Sequence, residues 1–292
     1  MADTEVRGIL SPNEYRRPQF RLVHAGCVIL ALVLAFVMVY PVLWVLLSSV
    51  KTPAEIYRNP PTVFPTTIDW LNFAQAWKSY EIPRMFMNTT LVFFGFIVSR
   101  LTVVTMAAYA LSRLDVPFRN AIYLIIMSTL ALPTLAYLIP SYLVIKDLGL
   151  YNSWWALWVP AGASAFQILI VKNFFDGIPK ELSEASRMDG ANDLRILWSV
   201  ILPLSRPVLA AISIFSFLEV WNNFFWQQLI FSDPAIWTMP VMLYIKSFTI
   251  GGNPPINVQL AGMFISLIPP LIIFVLFQRN ITNGVTMTGM KD

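Results

Sequence analysis

Six stretches of this chain run for about twenty residues or more with almost no charge, each long enough to cross roughly 30 Å of hydrocarbon as a helix. Residues 22–50 form an uncharged run of 29 with Arg16, Arg17 and Arg21 on its N-terminal flank. A cleaved signal peptide has an apolar core of about 7–15 residues, so this run is expected to stay as an anchor. Residues 120–145, 148–171 and 258–277 are further clean runs, while 87–111 is interrupted only by Arg100 and 207–231 only by Glu219. The pattern predicts an all-α membrane protein with six transmembrane helices. Lys146 and Asp147 mark a tight joint between the third and fourth spans. Pro41, Pro133, Pro140, Pro160, Pro269 and Pro270 fall within spans, where neighbouring helices must satisfy the freed carbonyls, so a packed bundle is expected.

Composition agrees with that pattern and narrows the chemistry. Of the 292 residues 57% are hydrophobic and 12% charged, about half the charge of an average soluble protein, which excludes a water-soluble enzyme. One cysteine, Cys27, rules out an intrachain disulfide, and one histidine, His24, rules out multi-histidine metal sites. No metal site is expected. No Gly-Lys pair occurs, so the phosphate-cradling loop of nucleotide-binding proteins is absent and any ATP must be bound by another chain.

Orientation follows from lysine and arginine placement. With the N-terminus inside, the inner segments carry 13 basic residues and the outer ones 6, so both termini are expected in the cytoplasm. The net charge of +4 is a consequence of this topology. The expected organisation is a tail at 1–21, a six-helix transmembrane domain at 22–278 holding an inner loop at 172–206, and a second tail at 279–292. Trp70, Trp77, Trp154, Trp155 and Trp158 fall where an outer interfacial belt would sit. The proline-rich segment from Lys51 to about Met85 is expected to be an ordered outer cap. No internal repeat is evident.

The inner loop reads as two short helices. Pro179 suits a first helical position, and Glu181 and Glu184 place negative charge near the positive end of the helix dipole. Leu182, Ala185 and Met188 share a face. Gly190 supplies a left-handed stop, and Asn192 can cap a second helix whose apolar stripe is Leu194, Leu197, Trp198 and Ile201, ended by Pro203 and Pro207. Physics alone leaves two readings open, a docking element or an amphipathic linker on the lipid surface.

Within that loop Glu184-Ala185-Ser186, Asp189-Gly190-Ala191 and Val200-Ile201-Leu202-Pro203 resemble the EAA loop of ABC importer permeases, E-A-A-x3-G-x9-I-x-L-P, departing only at Ser186 and Val200. Phe174-Phe175, Ile178 to Leu182, Asn88-Thr89, Ala108-Tyr109-Ala110 and Trp221-Asn222 are similar to the carbohydrate branch of that family. The end of the chain, from Gln278-Arg279 through Gly284, Thr286, Gly289 and Lys291, is similar to the tail of maltose-type permeases, with Met287, Met290 and Asp292 departing. The resemblance implies a type I ABC importer permease fold with a cytoplasmic coupling helix, in a bacterial inner membrane. It also implies the partners: a second permease forming a heterodimer, two ATPase subunits that bind ATP and Mg, and an extracytoplasmic sugar-binding protein. Glu184, Ala185, Ser186, Asp189, Gly190, Ala191, Leu202 and Pro203 would couple to the ATPase, and Gly284, Thr286 and Gly289 would reach it from the tail.

Arg100 and Glu219 stand 13 residues from Arg113 and Arg206 respectively, which places both roughly 20 Å above the inner basic edge at about 1.5 Å per residue. Three readings are open: the two charges pair, one of them lines the sugar path, or Arg100 packs polar partners and snorkels. Around Glu219 the fifth span offers Trp221, Asn222, Asn223 and Gln227. Spacing of four predicts a polar stripe of Glu219, Asn223 and Gln227 on one helix face, expected to line the path for a sugar or oligosaccharide. The alternative function is an ion-coupled secondary sugar carrier, which needs intramembrane carboxylates and repeated halves. Only Glu219 meets the first requirement.

Overall fold

The computed structural model describes residues 18–248 and 253–286, with side chains described for 22–248 and 253–278. In chain order the helices are α1 (Pro18–Ser49), α2 (Pro53–Ile56), α3 (Leu71–Ser79), α4 (Ile82–Arg113), α5 (Arg119–Ser128), α6 (Leu138–Asp147), α7 (Trp155–Ala161), α8 (Ala165–Asp176), α9 (Lys180–Met188), α10 (Asp193–Ile196), α11 (Leu202–Leu204), α12 (Arg206–Asn222), α13 (Phe224–Ile230), α14 (Met239–Phe248) and α15 (Ile256–Thr286). α1, α4 and α15 are each long and apolar enough to cross a membrane unaided. The remaining spans are made from broken helices, and the sequence at each break supplies the reason.

The third span bends by 102° between α5 and α6. Pro133 cannot donate a helical hydrogen bond and drives the preceding Leu132 into extended backbone (φ −80°, ψ 123°). The fourth bends by 41° between α7 and α8, where Ser164 is extended just after Gly162. Between the third and fourth spans, Gly149 (φ +70°) follows the end of α6 and makes the expected tight joint. The apolar run predicts a continuous fifth span, but the structure divides it. α12 stops after 17 residues at Asn222, about 25 Å of helix, and Asn223 (φ −86°, ψ 82°) starts α13. An asparagine favours this boundary because its side-chain oxygen accepts from the new helix, here from the Trp226 N–H at 3.2 Å.

α4 is the central post, packed on α3, α7, α8, α12 and α14. Its inner half joins α8, α12 and the α10–α11 segment in a core of Val104, Ala108, Phe175, Ile196, Ile201 and Ile212. Its outer end joins α3, α14 and α15 around Tyr80, Met85, Met239 and Val258. Between them, Val92 and Phe96 meet the α6, α7 and α12–α13 segments through Ile145, Leu157, Val220 and Ile230. Close approach of α7 depends on Gly95, where a Cβ would lie 2.1 Å from the Trp158 ring. Trp158, expected in an interfacial belt, instead packs here and donates to the Val92 carbonyl at 3.0 Å. Trp70, Trp77 and Trp155 remain exposed. α1 packs along α15, and residues 22–41 of α1 are exposed within this chain.

The segment after α1 is ordered, as expected. Lys51 is fully buried, donating to the Thr62 carbonyl, with its ammonium 5.1 Å from the centre of the Trp44 ring. Glu55 accepts from the Thr62 hydroxyl at 3.0 Å and the Thr66 N–H at 2.8 Å. Asn72 donates to the Ser49 and Lys51 carbonyls and accepts from Asn257 at 2.7 Å, so α3 clamps the end of α1 to the start of α15.

Candidate functional site

The inner loop folds into the expected hairpin, and its turn chemistry is local. Pro179 (φ −54°, ψ 133°) is the cap of α9 rather than its first helical residue. α9 ends at Met188 with Asp189 as its cap, and Gly190 takes φ +81°, a conformation that costs a side-chain-bearing residue about 1–2 kcal/mol. The Gly190 N–H then reaches the Arg187 carbonyl at 2.9 Å and the Ala191 N–H the Ser186 carbonyl at 3.0 Å, closing the helix end. Asn192 caps α10 by accepting from the Arg195 N–H at 2.9 Å. Across the turn, Arg187 pairs with Asp193 at 2.7 Å. The Tyr109 hydroxyl donates to the same carboxylate at 3.2 Å, tying the hairpin to α4. Nothing in the sequence marks Arg187, Asp193 and Tyr109 as a functional group of residues, although Tyr109 belongs to the Ala108-Tyr109-Ala110 resemblance.

The expected stripe of Leu194, Leu197, Trp198 and Ile201 is split. Leu197–Ile201 is a π-helical stretch with a wider turn; Ile196, Leu197 and Ile201 lie in the core, while Leu194 and Trp198 face outward, Trp198 at 69% exposure. The α9 stripe is also outward, with Leu182 and Ala185 exposed and Met188 at 90% exposure. Glu184, Asp189, Gly190 and Pro203 are exposed as well, whereas Ser186, Ala191 and Leu202 are half-buried. The hairpin thus presents polar residues, small residues and four large apolar ones together. The far end of the chain is described only in part: α15 continues as helix through Gly284 and Thr286, whose side chains, like Gly289, lie outside the described residues.

Within the bundle, Arg100 and Glu219 pair end-on. Nη1 to Oε2 and Nη2 to Oε1 are each 3.1 Å, the two-pronged geometry that suits a guanidinium and a carboxylate. The Arg100 Nε donates to the Ala161 carbonyl, at the C-terminal end of α7 beside the fourth-span bend, and Phe96 lies under the guanidinium at 4.6 Å. One side chain therefore ties the second, fourth and fifth spans together. The pair is asymmetric. The Arg100 side chain is 5% exposed and that of Glu219 46%. Phe215, Glu219 and Asn222 share an exposed face of α12.

The rest of the expected stripe is dispersed by the break at Asn223. Asn223 spends its side-chain Oδ1 on capping α13, and Gln227 is buried, donating to the Val220 carbonyl at 2.7 Å and accepting from the Thr238 hydroxyl. Gln227 holds the break together and does not share the Glu219 face. Trp221 points the other way, donating to the Ser266 carbonyl at 2.9 Å and stacking on Phe217 at 5.3 Å. With Asn222, Phe224, Tyr244, Phe248 and Ser266 it lines a cavity of about 300 Å³ between α12, α14 and α15. No local signal in the sequence points to Tyr244 and Phe248, because nothing near them in the chain ties α14 to the fifth span.

Residues 103–287, which contain the hairpin and the Glu219 half of the bundle, match the family described as binding-protein-dependent transport system inner membrane component. The chain belongs to this family. It is the permease component of an ABC importer, an inner-membrane protein. This permease is 30% identical over 264 residues to the sn-glycerol-3-phosphate transport system permease protein UgpE of Yersinia pestis bv. Antiqua (strain Antiqua), covering 88% of this chain and 94% of the relative. It is 29% identical to the diacetylchitobiose uptake system permease protein NgcG of Streptomyces coelicolor (strain ATCC BAA-471 / A3(2) / M145), over 86% of this chain and 83% of that one. A solved bacterial ABC transporter involved in the import of the acidic polysaccharide alginate superposes on 90% of this chain and 98% of its own, with a TM-score of 0.82 and 26% identity.

Proposed function

We propose that this permease forms half of the pathway of an ATP-driven importer for a sugar or oligosaccharide, with the exposed α12 face of Phe215, Glu219 and Asn222 turned to that pathway. The observation that carries this reading is the half-exposed Glu219 carboxylate. A charge held in hydrocarbon costs about 2.5–3.5 kcal/mol even on insertion scales, so a carboxylate open on one side belongs against water or protein, not lipid. The solutes named for the similar proteins, a glycerol phosphate, an acidic polysaccharide and diacetylchitobiose, support a sugar or polyol as cargo and differ in charge.

In this reading the α9–α10 hairpin seats on a cytoplasmic ATPase subunit, both termini are cytoplasmic, and a second permease completes the bundle. A pair of ATPases holds ATP and Mg, and an extracytoplasmic binding protein delivers the solute. Glu184, Ala185, Asp189 and Gly190 form the contact surface. Ser186, Ala191, Leu202 and Pro203 support it, and Gly284, Thr286 and Gly289 reach the ATPases from the end of the chain. Pairing of Glu219 with Arg100 leaves the fifth span without a free carboxylate, which counts against the ion-coupled carrier.

The test uses the single cysteine of the chain. In a Cys27→Ser background, Phe215→Cys and Asn222→Cys in the assembled transporter are expected to react with a membrane-impermeant thiol reagent, with rates that change on adding ATP and vanadate. Cysteines at both positions that stay unreactive in every state would remove this face from the pathway.

A further inference from the structure

Arg100 and Glu219 are the only charged residues in the six apolar runs of the sequence, and the structure locks them into one bidentate pair. Three of the five Arg100 N–H donors are used on protein groups, one from each terminal nitrogen to Glu219 and Nε to the Ala161 carbonyl, with the Phe96 ring beneath, and the other two are buried with the side chain. Nothing of the cation is left to meet a solute, because its side chain is 5% exposed. What is open is the other partner. Each Glu219 oxygen accepts one bond from Arg100, while a carboxylate offers about four lone-pair sites in all, so acceptor capacity remains on its exposed side. One helical turn away on the same face stands Phe215, 47% exposed, a flat apolar ring. On the other side of Glu219 is Asn222, an amide with donors and an acceptor.

We propose that Glu219 is a specificity-determining residue that cancels Arg100 and turns this half of the pathway into a site for uncharged polyhydroxylated solutes, with anionic sugars rejected. The proposal rests on the pathway reading above. Hydroxyl groups donate to the free lone pairs of Glu219, and the C–H face of a sugar ring lies on Phe215. A carboxylate- or phosphate-bearing solute meets the carboxylate edge with its own negative charge, and no cation is available to offset it. The same fold with Glu219 removed would expose a guanidinium at that point, which is an anion site.

The prediction is therefore a gain of binding. The purified full transporter in nanodiscs, without its soluble binding protein, is titrated with digalacturonate as the anionic probe. Wild type is expected to bind it only weakly, with an affinity that Arg100→Gln leaves unchanged. Glu219→Ala is expected to bind digalacturonate at least about 10- to 100-fold more tightly than wild type, the gain corresponding to one newly available charge-assisted contact. Arg100→Gln combined with Glu219→Ala should abolish that gain. Glu219→Gln, which keeps the side-chain volume, should give a smaller gain of the same sign and serves if the alanine variant does not assemble. Saturable binding of digalacturonate by wild type that is lost in Arg100→Gln would overturn the proposal, as would no gain in either Glu219 variant. Thiol labelling at positions 215 and 222 separates the two ideas: labelled cysteines without a gain in anion binding sink the charge assignment alone, and unlabelled cysteines sink the pathway reading first.

Discussion

At the scale of single residues, three sites have consequences that can be measured. Gly95 allows α4 and α7 to touch, and a methyl there would stand 2.1 Å from the Trp158 ring. Gly95→Ala must push the indole out of its place and off the Val92 carbonyl, so a loss of about 1–3 kcal/mol, the usual penalty of overpacking, is expected. Thermal unfolding of the solubilised transporter, followed by tryptophan fluorescence, checks it. Arg100→Leu leaves the Ala161 carbonyl and the Glu219 carboxylate without their donor. Loss of one partner of a buried pair costs about 3–5 kcal/mol, and the half-exposure of Glu219 puts the expected loss at or below the lower end. Glu55 lies outside the membrane. Burial pushes its carboxyl up, but the hydrogen bonds from Thr66 and Thr62 and the nearby Lys51 outweigh that and hold it below its ordinary value. A group whose folded pKa is depressed lends stability above its unfolded pKa and loses it as pH falls through the folded one. The outer cap should therefore loosen on acidification below the ordinary carboxylate range, and Glu55→Gln should remove that step. Amide hydrogen exchange over residues 51–72 as a function of pH gives the readout, and an unchanged step in Glu55→Gln would contradict the assignment.

Among the elements, the hairpin and the broken spans differ in how much of them the sequence announces. Gly190, Asn192 and the proline exits act over two or three residues, so the hairpin's turn and cap are legible in the residue order alone. Its faces are not, because the π-helical stretch at Leu197–Ile201 shifts the phase of the residues within it by a fraction of a turn, and docking on α4 and α8 buries Ile196 and leaves Leu194 outside. Asn192→Ala should cost about 0.5–2 kcal/mol through the lost cap, and Asp193→Asn should loosen α10 from α9 and from Tyr109. Both are expected to lower transport more than assembly, as judged by uptake against the amount of complex recovered. Gly190→Pro or a bulky residue at Ala185 is expected to uncouple ATP hydrolysis from uptake. Wild-type uptake in both would remove the hairpin from the coupling route. The break at Asn223 has a local signal that the apolar periodicity masks: two consecutive asparagines within an apolar run are cap formers.

For the whole molecule, membership of a binding-protein-dependent importer family and the three-way junction at Arg100 fit one picture. The bundle is organised around α4, and the hairpin, the proposed pathway face and the ordered segment after α1 are all fastened to it or to its neighbours. In the coupling proposed above, movement at the hairpin would reach the fourth-span bend through α8 and the fifth span through α11 and α12. Uptake by the intact system is expected to be abolished by vanadate and to survive collapse of the proton gradient. The opposite result would favour a carrier.

The amino-acid order alone determined the spans, their order, the inner hairpin and the family resemblance. Those depend on composition over about twenty residues or on turn chemistry over three. The tertiary structure alone decided that Arg100 meets Glu219, that Gln227 turns inward while Glu219 stays open, and that α14 joins Trp221 in lining a cavity. Depth can be counted along a helix from its charged end, but the direction a side chain takes around that helix depends on the rotation of separate spans about one another. Contacts between residues far apart in the chain set that rotation, and no local spacing records it.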